Sequence, residues 1–89
     1  MFEKSGIKNI DMPDNIEEIC DCAFMDCTNL EYINLNKVKK IGNAAFKNCI
    51  NIKSIEFPTN LNHIGSEAFD NCINLSSVVD KSNISIIYP

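Results

Sequence analysis

The string Ala-Phe-x-x-Cys occurs three times, beginning at Ala23, Ala45 and Ala68, with steps of 22 and then 23 residues. Other positions keep the same step. Ile7, Leu30, Ile52 and Leu75 form one apolar column, and Ile10, Ile33, Ile55 and Val78 a second. Met12, Leu35 and Phe57 form a third; Ile16, Val38, Leu61 and Ile84 a fourth; Ile19, Ile41, Ile64 and Ile87 a fifth. Asn29, Asn51 and Asn74 close the units, and the second unit is one residue short near Asn36-Lys37. A unit this small has too little apolar surface to fold alone, so the units must stack and share one core.

The stretch Ile52-x-x-Ile55-x-Phe57 ends in alternation, which suits a strand with one buried face. Pro13 and Pro58 then end the strand, because proline donates no ladder hydrogen bond. Leu61-x-x-Ile64-Gly65 reads as a second short extended piece, and Ala-Phe-x-x-Cys as a tight turn or a single helical turn. Units of this length are too short for paired helices and match a leucine-rich solenoid of α/β or mainly-β type. The expected fold is a right-handed stack of about 3.5 repeats with a parallel concave sheet, its strands near residues 8–12, 31–35, 53–57 and 76–79. Within one domain over 1–89, the boundaries are a partial repeat at 1–6, repeats at 7–29, 30–51 and 52–74, and a degenerate repeat or cap at 75–89.

Residues 52–74 read Ile-Lys-Ser-Ile-Glu-Phe-Pro-Thr-Asn-Leu-Asn-His-Ile-Gly-Ser-Glu-Ala-Phe-Asp-Asn-Cys-Ile-Asn. This run resembles the repeat of the BspA-like leucine-rich repeat family, also called the Treponema pallidum type, and the resemblance spans residues 2–79. It implies an interaction module, because members are largely surface and secreted proteins associated with adhesion and protein binding. Two departures stand out. Cys20 replaces the glycine found at Gly42 and Gly65, which would strain the chain if that column needs a left-handed backbone. Asp80 and Lys81 stand where Phe57 and Pro58 do, so the repeat degrades there. At the other end Phe2 opens the tail of an earlier unit, so the chain is expected to be an excised fragment of a longer array, the alternative being a short gene within an expanded family.

Composition excludes several classes. Eight lysines against twelve acids give a net charge of −4, without the basic footprint that nucleic acid or an anionic membrane needs. No apolar run is long enough to span a bilayer, and Met1-Phe2-Glu3-Lys4 is not the start of a signal peptide. With one histidine and no tryptophan, no enzyme and no cofactor are expected.

Candidate sites reduce to structural roles. Cys20, Cys22 and Cys27 lack the second ligand pair that zinc needs. Cys27, Cys49 and Cys72 share one column and are expected to be buried, reduced and unligated. A disulfide between ladder neighbours is the lesser reading, since five cysteines leave one over. His63 lies beside Lys40 with no nucleophile in register. The acids of the first unit lack the spacing of a calcium loop; Glu17-Glu18 instead aligns with Lys39-Lys40, and Lys8, Glu31 and Lys53 alternate in sign. Of two glycosylation patterns, Asn74 belongs to the turn column and only Asn83 is a candidate acceptor.

Solenoids bind through their extended concave sheets. Here that face is expected to carry Lys8, Asn9 and Asp11; Glu31, Tyr32 and Asn34; Lys53, Ser54 and Glu56; and Ser76, Ser77 and Val79. The expected function is protein–protein interaction within a larger adhesion or recognition protein. The alternative is a structural spacer or terminal fragment of an array, with no ligand of its own. A cell-surface or secreted setting follows from the resemblance alone. Open solenoid ends expose core and unpaired strands, so self-association is expected as well.

Overall fold

The computed structural model describes residues 6–82. The expectations for Phe2 and the partial first repeat, for Asn83, and for a cap containing Ile84 and Ile87 fall outside those residues. Seven short strands alternate in the chain: β1 (Asn9–Asp11), β2 (Glu18–Ile19), β3 (Tyr32–Asn34), β4 (Lys40–Ile41), β5 (Ser54–Phe57), β6 (His63–Ile64) and β7 (Ser77–Asp80). They form two parallel sheets, one in the order β1-β3-β5-β7 and one in the order β2-β4-β6. No helix occurs among the described residues, so the solenoid is mainly-β.

The ladder pairings reproduce the sequence columns. Ile10 pairs with Ile33, Ile33 with Ile55 and Ile55 with Val78. On the second sheet Ile19 pairs with Ile41 and Ile41 with Ile64. The pairings set coil on coil over about three turns, and β7 adds the strand of a further coil to the four-stranded sheet. Leu30, Ile33, Leu35, Val38, Ile41, Ile52, Ile55, Phe57 and Leu61 are buried between the sheets. Of their equivalents in the first coil, Met12 and Ile19 are buried while Ile7, Ile10 and Ile16 are half-buried, no described coil lying on their outer side.

The missing residue of the second coil is absorbed at Asn36, whose φ of 54° is left-handed. Asparagine tolerates that region. Its side chain also donates to the Met12 carbonyl at 3.1 Å and to Asp14 Oδ1.

The Ala-Phe-x-x-Cys segment is not a helical turn. It is a run of turns in which right- and left-handed residues mix, with positive φ at Cys22 and Asp26, Ala44 and Asn48, and Glu67 and Asn71. That alternation aims every second N–H along the stack. Cys22, Phe24 and Asp26 donate to the carbonyls of Asn43, Ala45 and Lys47 at 3.0, 2.8 and 2.8 Å. Ala44, Phe46 and Asn48 donate to Ser66, Ala68 and Asp70 at 3.0, 2.8 and 2.9 Å. A left-handed alanine or glutamate costs about 1–2 kcal/mol, which these inter-coil bonds offset. The phenylalanines stack in the same strip, Phe24 on Phe46 and Phe46 on Phe69, with centroids 5.3 Å apart in both pairs.

Candidate functional site

The cysteine column lies within this strip. Cys27, Cys49 and Cys72 are buried, and all five cysteines are free. Each of two thiols donates to the coil below: Cys49 Sγ to the Phe24 carbonyl at 3.0 Å and Cys72 Sγ to the Phe46 carbonyl at 3.2 Å. Burial pushes the Cys49 thiol up to about 12 and the Cys72 thiol up to about 11. Thiols held that far from ionisation are poor nucleophiles. Cys20 is exposed and Cys22 half-buried. Among the described residues no group of three or more His, Cys, Asp or Glu side chains could hold a metal ion.

His63 sits on the second sheet opposite Lys40, in a polar groove of about 510 Å³ with Glu18, Asp21, Asn43 and Asn62. The column Glu18, Lys40, His63 is confirmed by the ladder. Opposite charges meet between coils at Glu17–Lys39 (3.7 Å) and Glu31–Lys53 (3.9 Å). Both pairs are exposed, and such pairs contribute little. On the far strip Lys47 hydrogen-bonds Glu67 at 2.8 Å, which raises the lysine pKa and lowers that of the glutamate.

The columns Asp26–Asn48–Asn71 and Asp21–Asn43–Ser66 run along the stack as polar ladders. Asn71 Nδ2 donates to Asn48 Oδ1 at 3.1 Å and Asn48 Nδ2 to Asp26 Oδ1 at 2.7 Å. In the other ladder Ser66 N–H donates to Asn43 Oδ1 at 2.9 Å and Asn43 N–H to Asp21 Oδ1 at 2.8 Å. The sequence columns named above, apolar, charged and the Asn29–Asn51–Asn74 column, do not include these, although they keep the same 22- or 23-residue step. In the turn column Asn51 and Asn74 donate to the carbonyls of Thr28 and Ile50 at 2.6 and 2.8 Å.

The expected binding residues come together on the outward face of the four-stranded sheet. Asn9, Tyr32, Ser54 and Ser77 form one row across it; Asp11, Asn34, Glu56 and Val79 form the next. Lys8, Glu31, Lys53 and Ser76 lead into the strands, tied by Glu31 N–H to the Lys8 carbonyl, Lys53 N–H to Glu31 and Ser76 N–H to Lys53. Tyr32 and Val79 are exposed large side chains here, 45 % and 48 % open. Glu56 pairs with Lys81 at 3.1 Å, so the departure at residue 81 adds a charge pair to the rim.

A family model described as BspA type leucine-rich repeat region matches residues 1–89 in six copies. That copy number exceeds the coils that the ladders define. No curated protein and no solved structure matches the chain.

Proposed function

The chain belongs to the BspA-type leucine-rich repeat family, and from that premise we propose that it is a non-enzymatic protein-binding module whose ligand lies across the outward face of the four-stranded sheet. The observation that carries this reading is the row Asn9–Tyr32–Ser54–Ser77. It sets one exposed aromatic among small polar side chains on hydrogen-bonded strands. Tyrosine brings a large contact area with little rotamer entropy to lose, which is why it is enriched at interface hot spots. The neighbouring serines and Asn34 leave room for a partner and offer hydrogen bonds to it. The buried thiols, un-ionised and turned inward, are consistent with a scaffold that performs no chemistry.

The proposed setting is a larger adhesion or recognition protein at the cell surface or in the secreted fraction, which is the setting the family suggests. Affinity capture from surface extracts tests the reading. Capture lost with Tyr32→Ala and with Ser54→Arg, yet retained with His63→Ala on the second sheet, would support it. Capture indifferent to all three would assign the stack a spacer role.

A further inference from the structure

Cys20, Gly42 and Gly65 occupy one column, and the glycines are not there for their backbone angles. Neither has positive φ, so the left-handed requirement expected at Cys20 does not exist. Contact is the reason. A Cβ on Gly65 would lie 2.4 Å from Asn43 Oδ1, 2.5 Å from Asn43 N and 2.6 Å from the carbonyl carbon of Gly42. A Cβ on Gly42 would lie 2.5 Å from Asp21 N, 2.6 Å from Asp21 Oδ1 and 2.7 Å from the carbonyl carbon of Cys20. In both coils the Cβ would point into the backbone of the coil on the N-terminal side. Ladder-bound backbone cannot swing aside, so a coil seats on its predecessor only through glycine.

Cys20 carries a Cβ and a sulfur in that column. It is exposed and borders the apolar groove of about 540 Å³ where Ile10, Ile16 and Phe24 meet the end of the stack. A preceding coil in the same register would meet the Cys20 Cβ with its backbone at the distances found above for the glycines.

The polar ladders agree independently. In the ladder of Asn48 the inner rung donates to the coil before it and accepts from the coil after it. An amide can do both; a carboxylate only accepts. Where the second coil has Asn48, the first has Asp26, which receives that amide. A coil placed before Asp26 would turn its own amide oxygen towards a carboxylate. Open backbone groups do not separate the two ends: among the described residues nothing donates to the carbonyls of Asp21, Ala23 and Met25 at this end, and no acceptor meets the N–H groups of Glu67, Phe69 and Asn71 at the other, so the block rests on side chains.

We infer that Cys20, together with Asp26, is a built-in stop that closes the N-terminal end of the stack to any further coil of its own kind, whether from a second copy or from a repeat placed ahead of Ile7. Of the two ends expected to self-associate, this one is closed.

The test inserts a duplicate of residues 52–74 between Gly6 and Ile7 of the full chain, so that Ile7 follows Asn74 as Leu75 does. Alkylation of Cys20, read by mass spectrometry, should proceed about as fast as in the natural chain. Cys20→Gly with Asp26→Asn should lower or leave unchanged the melting temperature of the natural chain, and raise that of the extended chain by several degrees. A Cys20 protected about tenfold or more in the extended chain, as a closed structure protects its groups, would overturn the inference. So would a pair of substitutions with the same effect on both chains. Alkylation is measured without the substitutions, so it decides the matter even if the substituted chain misfolds.

Discussion

Cys49 is the most informative single position for the packing account, because three substitutions there separate three effects. Its side chain is 0 % exposed and its thiol donates to the Phe24 carbonyl at 3.0 Å. Alanine removes a buried group of methylene size, worth roughly 1 kcal/mol, and leaves a void that the fixed coil spacing cannot close. The Phe24 carbonyl keeps a second bond, from Cys27 N–H at 3.2 Å, so the lost donor adds little. The expected cost of Cys49→Ala is about 1–2 kcal/mol, which at roughly 4–8 °C per kcal/mol in a domain of this size is a fall of about 4–16 °C. Cys49→Asp should cost about 3–5 kcal/mol, the penalty of an uncompensated buried charge, and that penalty should shrink as the pH falls towards about 4 and the carboxyl protonates. The thiol itself predicts an alkaline limit. Its folded-state pKa is raised from 9.0 to about 12, so above pH 9 the unfolded chain loses that proton first. Stability is therefore full below about pH 9 and declines as the pH rises through that window. Urea and thermal denaturation followed by circular dichroism, on the natural chain and all variants, measure each effect. If Cys49→Ala were silent, or if the natural chain and Cys49→Ala lost stability in parallel from pH 9 to 11, the buried-thiol reasoning would be wrong.

Gly65→Ala should destabilise by about 1–3 kcal/mol through overpacking against Asn43, measured by urea denaturation; an unchanged midpoint would mean that the coils sit further apart than described. Asn48→Asp should cost about 1–3 kcal/mol because it sets two acceptors face to face at Asp26, measured by urea denaturation; an unchanged midpoint would count against the ladder. In native-state alkylation Cys20 should react fastest, Cys22 more slowly, and Cys27, Cys49 and Cys72 only on unfolding; early labelling of Cys49 would contradict its burial.

Much of the fold was legible because a repeat states each constraint several times. Ile10, Ile33, Ile55 and Val78 could be aligned by eye, and alignment in a solenoid is contact. The turn strip was less legible. Left-handed backbone at Ala44 and Glu67 has no signature in the residue itself; it arises because the neighbouring coil supplies carbonyls at the right spacing. The column of Gly42 and Gly65 was visible but its cause stayed conditional, since close approach and positive φ both select glycine and only coordinates separate them. The outward face was readable down to Tyr32, because strand alternation says which way a side chain points. What binds there depends on a partner's surface, which this chain does not encode.

The stack itself is tested most directly by solution NMR on the isotope-labelled chain. Inter-strand NOEs should follow the parallel pattern and link Ile33 to both Ile10 and Ile55, while ring contacts connect Phe46 to both Phe24 and Phe69. Antiparallel Hα–Hα contacts between Tyr32–Asn34 and Ser54–Phe57, or helical connectivities through residues 44–49, would contradict the account.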